Sequence, residues 1–192
     1  MQKFQNKIWK QAQKIIPGGN GLLSKRPERF LPNNWPTYFS KAKGIEVWDL
    51  NNTKYIDMSL MGVGTSTLGY ANNYIDKNIH KVITKGINTT LNCLEEFQLA
   101  KKILKYDNFA DQIKFARGGG EAMSLAIRLA RANNQTTKIA FSGYHGWQDW
   151  YLAANLKNIT NLNNHLLKNL IPLGIPKELK GSTIPFRFND FD

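Results

Sequence analysis

Cysteine, acidic side chains and long apolar runs are all scarce in this chain, and each shortage excludes something. Cys93 is the single cysteine among 192 residues, so no internal disulfide can form. A reducing cytoplasm is the expected setting. No apolar stretch approaches the roughly 20 residues that a membrane-spanning helix needs. The start of the chain, Met1 to Lys14, is polar and lysine-rich but poor in arginine, which fits neither a signal peptide nor a transit peptide. His80, His145 and His165 lie far apart and Cys93 stands alone, so no metal site is expected. Asp and Glu number 14 against 26 Lys and Arg, a formal net charge of +12. That charge suits nucleic acid or an anionic surface only if it is clustered. The lysines are scattered, no run of five basic residues occurs, and no aromatic–basic interleaving marks a stacking platform. Neither nucleic acid nor membrane is therefore an expected partner; small anionic substrates and phosphate-bearing ligands are.

What is present is a folding composition, 42% hydrophobic and 11% aromatic. Phe4, Ile8, Ala12 and Ile15 recur at helical spacing, and Pro17-Gly18-Gly19 stops that helix. Such a basic amphipathic helix can lie on a membrane, but its short length favours docking on its own domain. Residues 20–43, with Pro27, Pro32 and Pro36, read as irregular and extended. Ile45 to Leu50 and Lys54 to Met58 read as two strands joined at Asn51-Asn52-Thr53, a β-hairpin. Gly62, Gly64 and Gly69 mark a loop, and helical periodicity follows at 72–85 and 94–105.

The stretch 112–146 carries most of the information. Gln112 to Ala116 reads as a strand, Gly118-Gly119-Gly120 as a turn, Glu121 to Ala132 as a helix, and Lys138 to Ser142 as a second strand ending in Gly143-Tyr144-His145-Gly146. Strand–helix–strand units make parallel pairs, so the fold class is α/β. Beyond Trp150 the pattern weakens, with partial helix over 151–171 and a last strand over 183–188.

Three glycines between a strand and a helix remove the Cβ atoms that would hold an anion off the backbone, and the helix offers unpaired N–H groups and the positive end of its dipole. The same glycines also suit a flexible turn that binds nothing. The segment matches neither G-x-G-x-x-G nor the P-loop. Because ligands of open α/β sheets bind beyond the C-terminal strand ends, the glycines and Tyr144 can face one crevice. A flat aromatic cofactor with a phosphate tail would fit both, Tyr144 stacking on its ring; the alternative is a half-buried loop tyrosine.

Arg117-Gly-Gly-Gly-Glu-Ala-Met-Ser-Leu-Ala-Ile-Arg-Leu-Ala-Arg131 followed by Gly143-Tyr-His-Gly146 resembles the class III aminotransferases that use pyridoxal 5′-phosphate (PLP), with glutamate-1-semialdehyde 2,1-aminomutase-like members nearest. Pro17-Gly18-Gly19 and the hairpin from Ala42 to Asp57 extend the likeness, which runs from about residue 17 to the end. The resemblance implies the PLP-transferase fold. Residues 1–60 would be an N-terminal helix, extended segment and β-hairpin, and residues 61–192 the first half of the PLP-binding α/β domain. It implies PLP as cofactor, with Gly118, Gly119 and Gly120 where the family grips the phosphate, and Tyr144 with His145 at the ring. It places Lys25, with Arg26 beside it, where an arginine holds a substrate carboxylate. It also implies a homodimer acting on a small amino or keto acid or a sugar-like molecule. Two departures stand out. Glycines replace the family's hydroxyl side chains at the cup, and lysine lacks the bidentate fork of arginine. The family's Schiff-base lysine lies downstream of the segment present, so no catalytic residue is expected among these 192, and Lys157, Lys168, Lys177 and Lys180 stand in no matching context. A non-catalytic or decayed module that binds a phosphate ligand is the alternative. His145-x-x-x-Asp149 also matches an acyl-transfer pair if both residues share a helix face.

Overall fold

The computed structural model describes residues 2–190. By their contacts the residues divide into two compact units, Met1–Asn92 and Cys93–Asp192.

The first unit begins with helix α1 (Gln2–Ile15). Its buried face carries Gln5 and Trp9, one turn apart, while Phe4 and Ile15 of the apolar stripe stay exposed. The Trp9 ring lies against Gly19, which has φ +80° and no room for a Cβ, and the indole N–H donates to Glu28 at 2.5 Å. The Pro-Gly-Gly stop thus also seats a side chain. Three strands follow as an antiparallel meander, β1 (Phe39–Lys43), β2 (Glu46–Asp49) and β3 (Lys54–Ile56). The hairpin expected from sequence is β2–β3, with Trp48 opposite Lys54. β1 is a correction, because all of its residues fall in the stretch 20–43 read as irregular. It pairs with β2 from Lys43 opposite Glu46 to Phe39 opposite Asp49, and the ladder supplies the order that local pattern does not show. Gly69, at φ +89°, lets residues 69–70 approach Gly44 closely enough for a bridge between Gly44 and Tyr70.

Asp49 ends β2 and is 2% exposed. Its carboxylate accepts from the N–H groups of Asn51 (2.8 Å) and Thr53 (2.9 Å) and from the Gln5 amide (2.9 Å), while Gln5 accepts from the Tyr38 N–H at 3.2 Å. Helix, meander and turn are thereby tied to one side chain. Burial by itself raises the Asp49 pKa, but these donors outweigh it and hold the group below its ordinary value. Helix α2 (Asn73–Ile83) closes the unit, capped by Asn72, whose side chain accepts from the N–H groups of Tyr74 and Ile75.

The second unit contains α3 (Leu94–Leu104), α4 (Gly119–Asn134), β4 (Ile139–Phe141), the one-turn α5 (Asp149–Leu152) and β5 (Thr183–Pro185). β4 and β5 pair in parallel, Ile139 opposite Thr183 and Phe141 opposite Pro185. The fold is α/β, as the sequence indicated, but the parallel partner is not the one expected. Gln112 to Ala116 forms no ladder among the described residues. Alternation alone does not make a strand without a neighbouring edge to bond, and β4 takes β5 instead. A second correction concerns the glycines. Gly119 and Gly120 are the first two residues of α4, not a turn before it, and Gly118 is its N-cap.

The core of this unit is aromatic. Ile127, Phe141, Trp150, Tyr151, Ala154 and Leu162 form one buried cluster. Phe141 meets Tyr151 at 5.3 Å and Trp150 at 5.5 Å between ring centroids. Asn155, also buried, donates to the Leu170 carbonyl (2.7 Å) and accepts from the Leu162 N–H (3.0 Å), which fixes the irregular chain that follows α5. By contrast α2 and α3 have no buried residue, and Ile79 and Phe97 on their apolar stripes are 49% and 60% exposed.

Candidate functional site

Gly118 caps α4 in an extended conformation and offers no side-chain acceptor to the first turn. Its carbonyl starts the helix by accepting from Ala122 at 3.0 Å. Glu121 folds back, its carboxylate accepting from the N–H of Arg117, the residue before the cap, at 2.8 Å. The N–H groups of Gly119, Gly120 and Glu121 are those that a helix leaves without internal partners. They stand at the positive end of a 16-residue helix. A Cβ added to Gly118 or Gly119 would meet no atom within 4 Å, so this backbone faces open space. Helix starts of this kind attract anions in general.

The second motif begins where β4 ends. The Gly143 N–H donates to Nδ1 of His165 at 3.0 Å, and Nε2 of His145 donates to the Ser142 carbonyl at 2.7 Å. Gly146, at φ +105°, turns the chain into α5. Tyr144 is 40% exposed, and its ring meets Tyr151 edge to face at 5.6 Å. Tyr151 has its own pKa pushed up to about 12, chiefly by burial and then by Tyr144. The Tyr144 ring is braced by a neighbour yet left partly open.

The two motifs are joined by Gln148. Its carboxamide fills the space that side chains would occupy at both Gly120 and Gly146. The expected route to a shared crevice, adjacent parallel strands, is not the one observed; a side chain set in two glycine notches links the motifs instead.

Of the residues singled out from sequence, Gly118, Gly119, Gly120, Tyr144 and His145 all lie in the second unit. His145 is half-buried against Phe141 and Trp150. Lys25 and Arg26 lie in the first unit. Lys25 is exposed at the end of a short 3-10 turn, and Arg26 packs against Gly18 with its Nε buried and, among the described residues, without a hydrogen-bond partner. Lys157, Lys168, Lys177 and Lys180 are all exposed. The acyl-transfer pairing fails on geometry, because His145 sits in the loop before α5 and bonds Ser142, while Asp149 opens the helix. Among the described residues no cluster of His, Cys, Asp and Glu could hold a metal ion, and no helix is long and apolar enough to cross a membrane. Sequence reasoning missed Gln148, His165 and Asn155. Only Gln148 had a local signal, its place two residues after the second motif.

The sequence profile of the class-III aminotransferases matches residues 32–182, a span that includes both motifs. The chain belongs to this family. Among curated relatives, this class-III chain is 36% identical over 191 residues to a glutamate-1-semialdehyde 2,1-aminomutase of Wigglesworthia glossinidia brevipalpis, covering 97% of the chain and 42% of that protein. It is 30% identical over 186 residues to a 3-aminobutyryl-CoA aminotransferase of Cloacimonas acidaminovorans, covering 96% of the chain and 40% of that protein. Among solved structures, a transaminase with PLP bound superposes with a TM-score of 0.78 at 23% identity, covering 99% of the chain and 42% of that structure. A glutamate-1-semialdehyde aminomutase from Pseudomonas aeruginosa PAO1 gives 0.73 at 18%, covering 96% and 39%. The structural matches establish the fold. The chain spans about two fifths of the length of the relatives it matches.

Proposed function

We propose that the protein is a PLP-dependent aminotransferase or aminomutase, and that these 192 residues supply its phosphate cup and its ring-stacking loop. The observation that carries this reading is the open first turn of α4, with uncapped N–H groups and space in front of Gly118 and Gly119. PLP, when bound, supplies the electron sink for chemistry at an amine-bearing carbon. The chain's own residues bind and orient. The N–H groups from Gly119 to Glu121 hold the phosphate, Tyr144 covers one face of the ring, and His145 keeps the loop shaped through Ser142. The nucleophilic lysine is not one of the exposed lysines 157, 168, 177 and 180.

The substrate is a small amino or keto acid or a sugar-like molecule. Exposed Lys25, with Arg26 beside it, supplies positive charge for its carboxylate. The matched relatives bear names of an aminomutase and of a CoA-ester aminotransferase, so transfer and intramolecular shift both remain within the proposal. The complete protein is placed in the cytoplasm as a homodimer, and the apolar stripes that α2 and α3 leave exposed support the dimer; sedimentation at a single-chain mass would refute it.

The test is spectroscopic. The protein as its gene encodes it should retain PLP after desalting, and its absorbance should shift on adding an amino donor. The chain of 192 residues alone should bind PLP weakly at most and yield no active-site lysine trapped by borohydride. Stoichiometric trapping at Lys157 or Lys168 would overturn the assignment of roles. In the active protein, Lys25→Gln should raise KM for a carboxylate substrate and leave kcat nearly unchanged.

A further inference from the structure

Resting on the reading above, we propose that Gln148 is a positioning residue that sets the distance between the phosphate cup and the stacking ring. Gly120 lies in the first turn of α4, and a Cβ there would collide with the Gln148 carboxamide nitrogen. Gly146 lies in the loop that carries Tyr144, and a Cβ there would collide with the carboxamide oxygen. The same amide is thus lodged in two notches, one on each half of the site. Its oxygen is buried and without a hydrogen-bond partner among the described residues, so shape and not a hydrogen bond to that oxygen seats it. Gln148 is also the N-cap of α5, whose Trp150 and Tyr151 belong to the buried aromatic cluster, so its backbone is anchored. An anchored side chain wedged between a helix turn and a loop holds their separation.

The consequence concerns ligands that engage both halves at once. A ligand with a phosphate at one end and a ring at the other gains from two contacts only when their spacing is held; a ligand that touches one half does not depend on it. The probes are pyridoxamine 5′-phosphate, which carries no aldehyde and needs no lysine, together with pyridoxamine and inorganic phosphate. Their affinities would be measured by calorimetry on the protein as its gene encodes it, on Gln148→Ala and on Gln148→Asn. Gln148→Ala should weaken pyridoxamine 5′-phosphate about tenfold while changing the two half-ligands by no more than about twofold. Gln148→Asn keeps the amide but is one methylene shorter and cannot fill both notches, so it should fold and show the same split. Unchanged binding of pyridoxamine 5′-phosphate by both variants overturns the positioning role. A parallel loss of all three ligands with a falling Tm overturns it too, by showing a purely structural role. A wild-type protein that binds none of the three overturns the cofactor reading and this inference together.

Discussion

The first unit is arranged around a carboxylate, the second around an aromatic ring. Asp49 gathers donors from a turn and from α1, and the buried side chains near it include polar Gln5. Phe141 gathers Trp150, Tyr151, His145 and His165 by ring contacts. Apart from Trp9 and Pro27, the buried apolar side chains among the described residues belong to the second unit. Hydrogen bonds to a charge are directional and can be titrated, whereas apolar contact is neither. The candidate cofactor residues sit on the aromatic side of this contrast. A phosphate cup and a stacking ring must keep one geometry while ligands come and go, and dense packing around Phe141 resists rearrangement.

The largest effect expected from this contrast is at Phe141. Phe141→Ala should cost about 3–5 kcal/mol by chemical denaturation, since it removes the centre of the aromatic cluster. A loss below about 1 kcal/mol would mean that the cluster does not hold the second unit.

Acid should act on the first unit. Asp49 and Asp57 both have depressed pKa values; for Asp57 burial again pushes upward, and Ser59 and Tyr70 outweigh it. A carboxylate depressed by folding contributes stability that is complete above its unfolded pKa of roughly 4. That contribution is lost as pH falls through the lower folded value. Hydrogen exchange in β1 and β2 should therefore rise as pH drops below about 4, and Asp49→Asn should flatten this dependence at some cost in stability at neutral pH. Exchange in β4 rising with the same Asp49-dependent profile would break the contrast.

The smallest effect is expected at Tyr151. Its hydroxyl is buried and, among the described residues, lacks a hydrogen-bond partner, so Tyr151→Phe should change stability by no more than about 1 kcal/mol, in the stabilising direction if at all. At high pH the difference should grow. The Tyr151 pKa is pushed up to about 12, so its contribution is complete below an unfolded value of about 10 and is lost as pH rises between the two. Tyr151→Phe should remove this part of the alkaline transition. Tyr70 in the first unit, also pushed up to about 12 by burial and by Asp57, should keep its share.

What the sequence determined by itself was local. The stripe Phe4, Ile8, Ala12, Ile15 specified α1, and the periodicity over 72–85 specified α2, because helix periodicity depends on residues within a turn of one another. The glycines at 118–120 and the Gly143–Gly146 segment could be read as parts of one site because their residue types carry the chemistry. Partners far along the chain were left to the tertiary structure. Only there do β4 and β5 pair while 112–116 pairs with nothing described, β1 join the hairpin, and His165 accept from Gly143. A strand needs an edge, and a buried acceptor needs a donor, that no window of neighbouring residues contains. Gln148 shows the division most clearly. Its position beside the second motif is visible in the sequence, yet the fit of its amide against both Gly120 and Gly146 exists only once α4 and the loop are brought together.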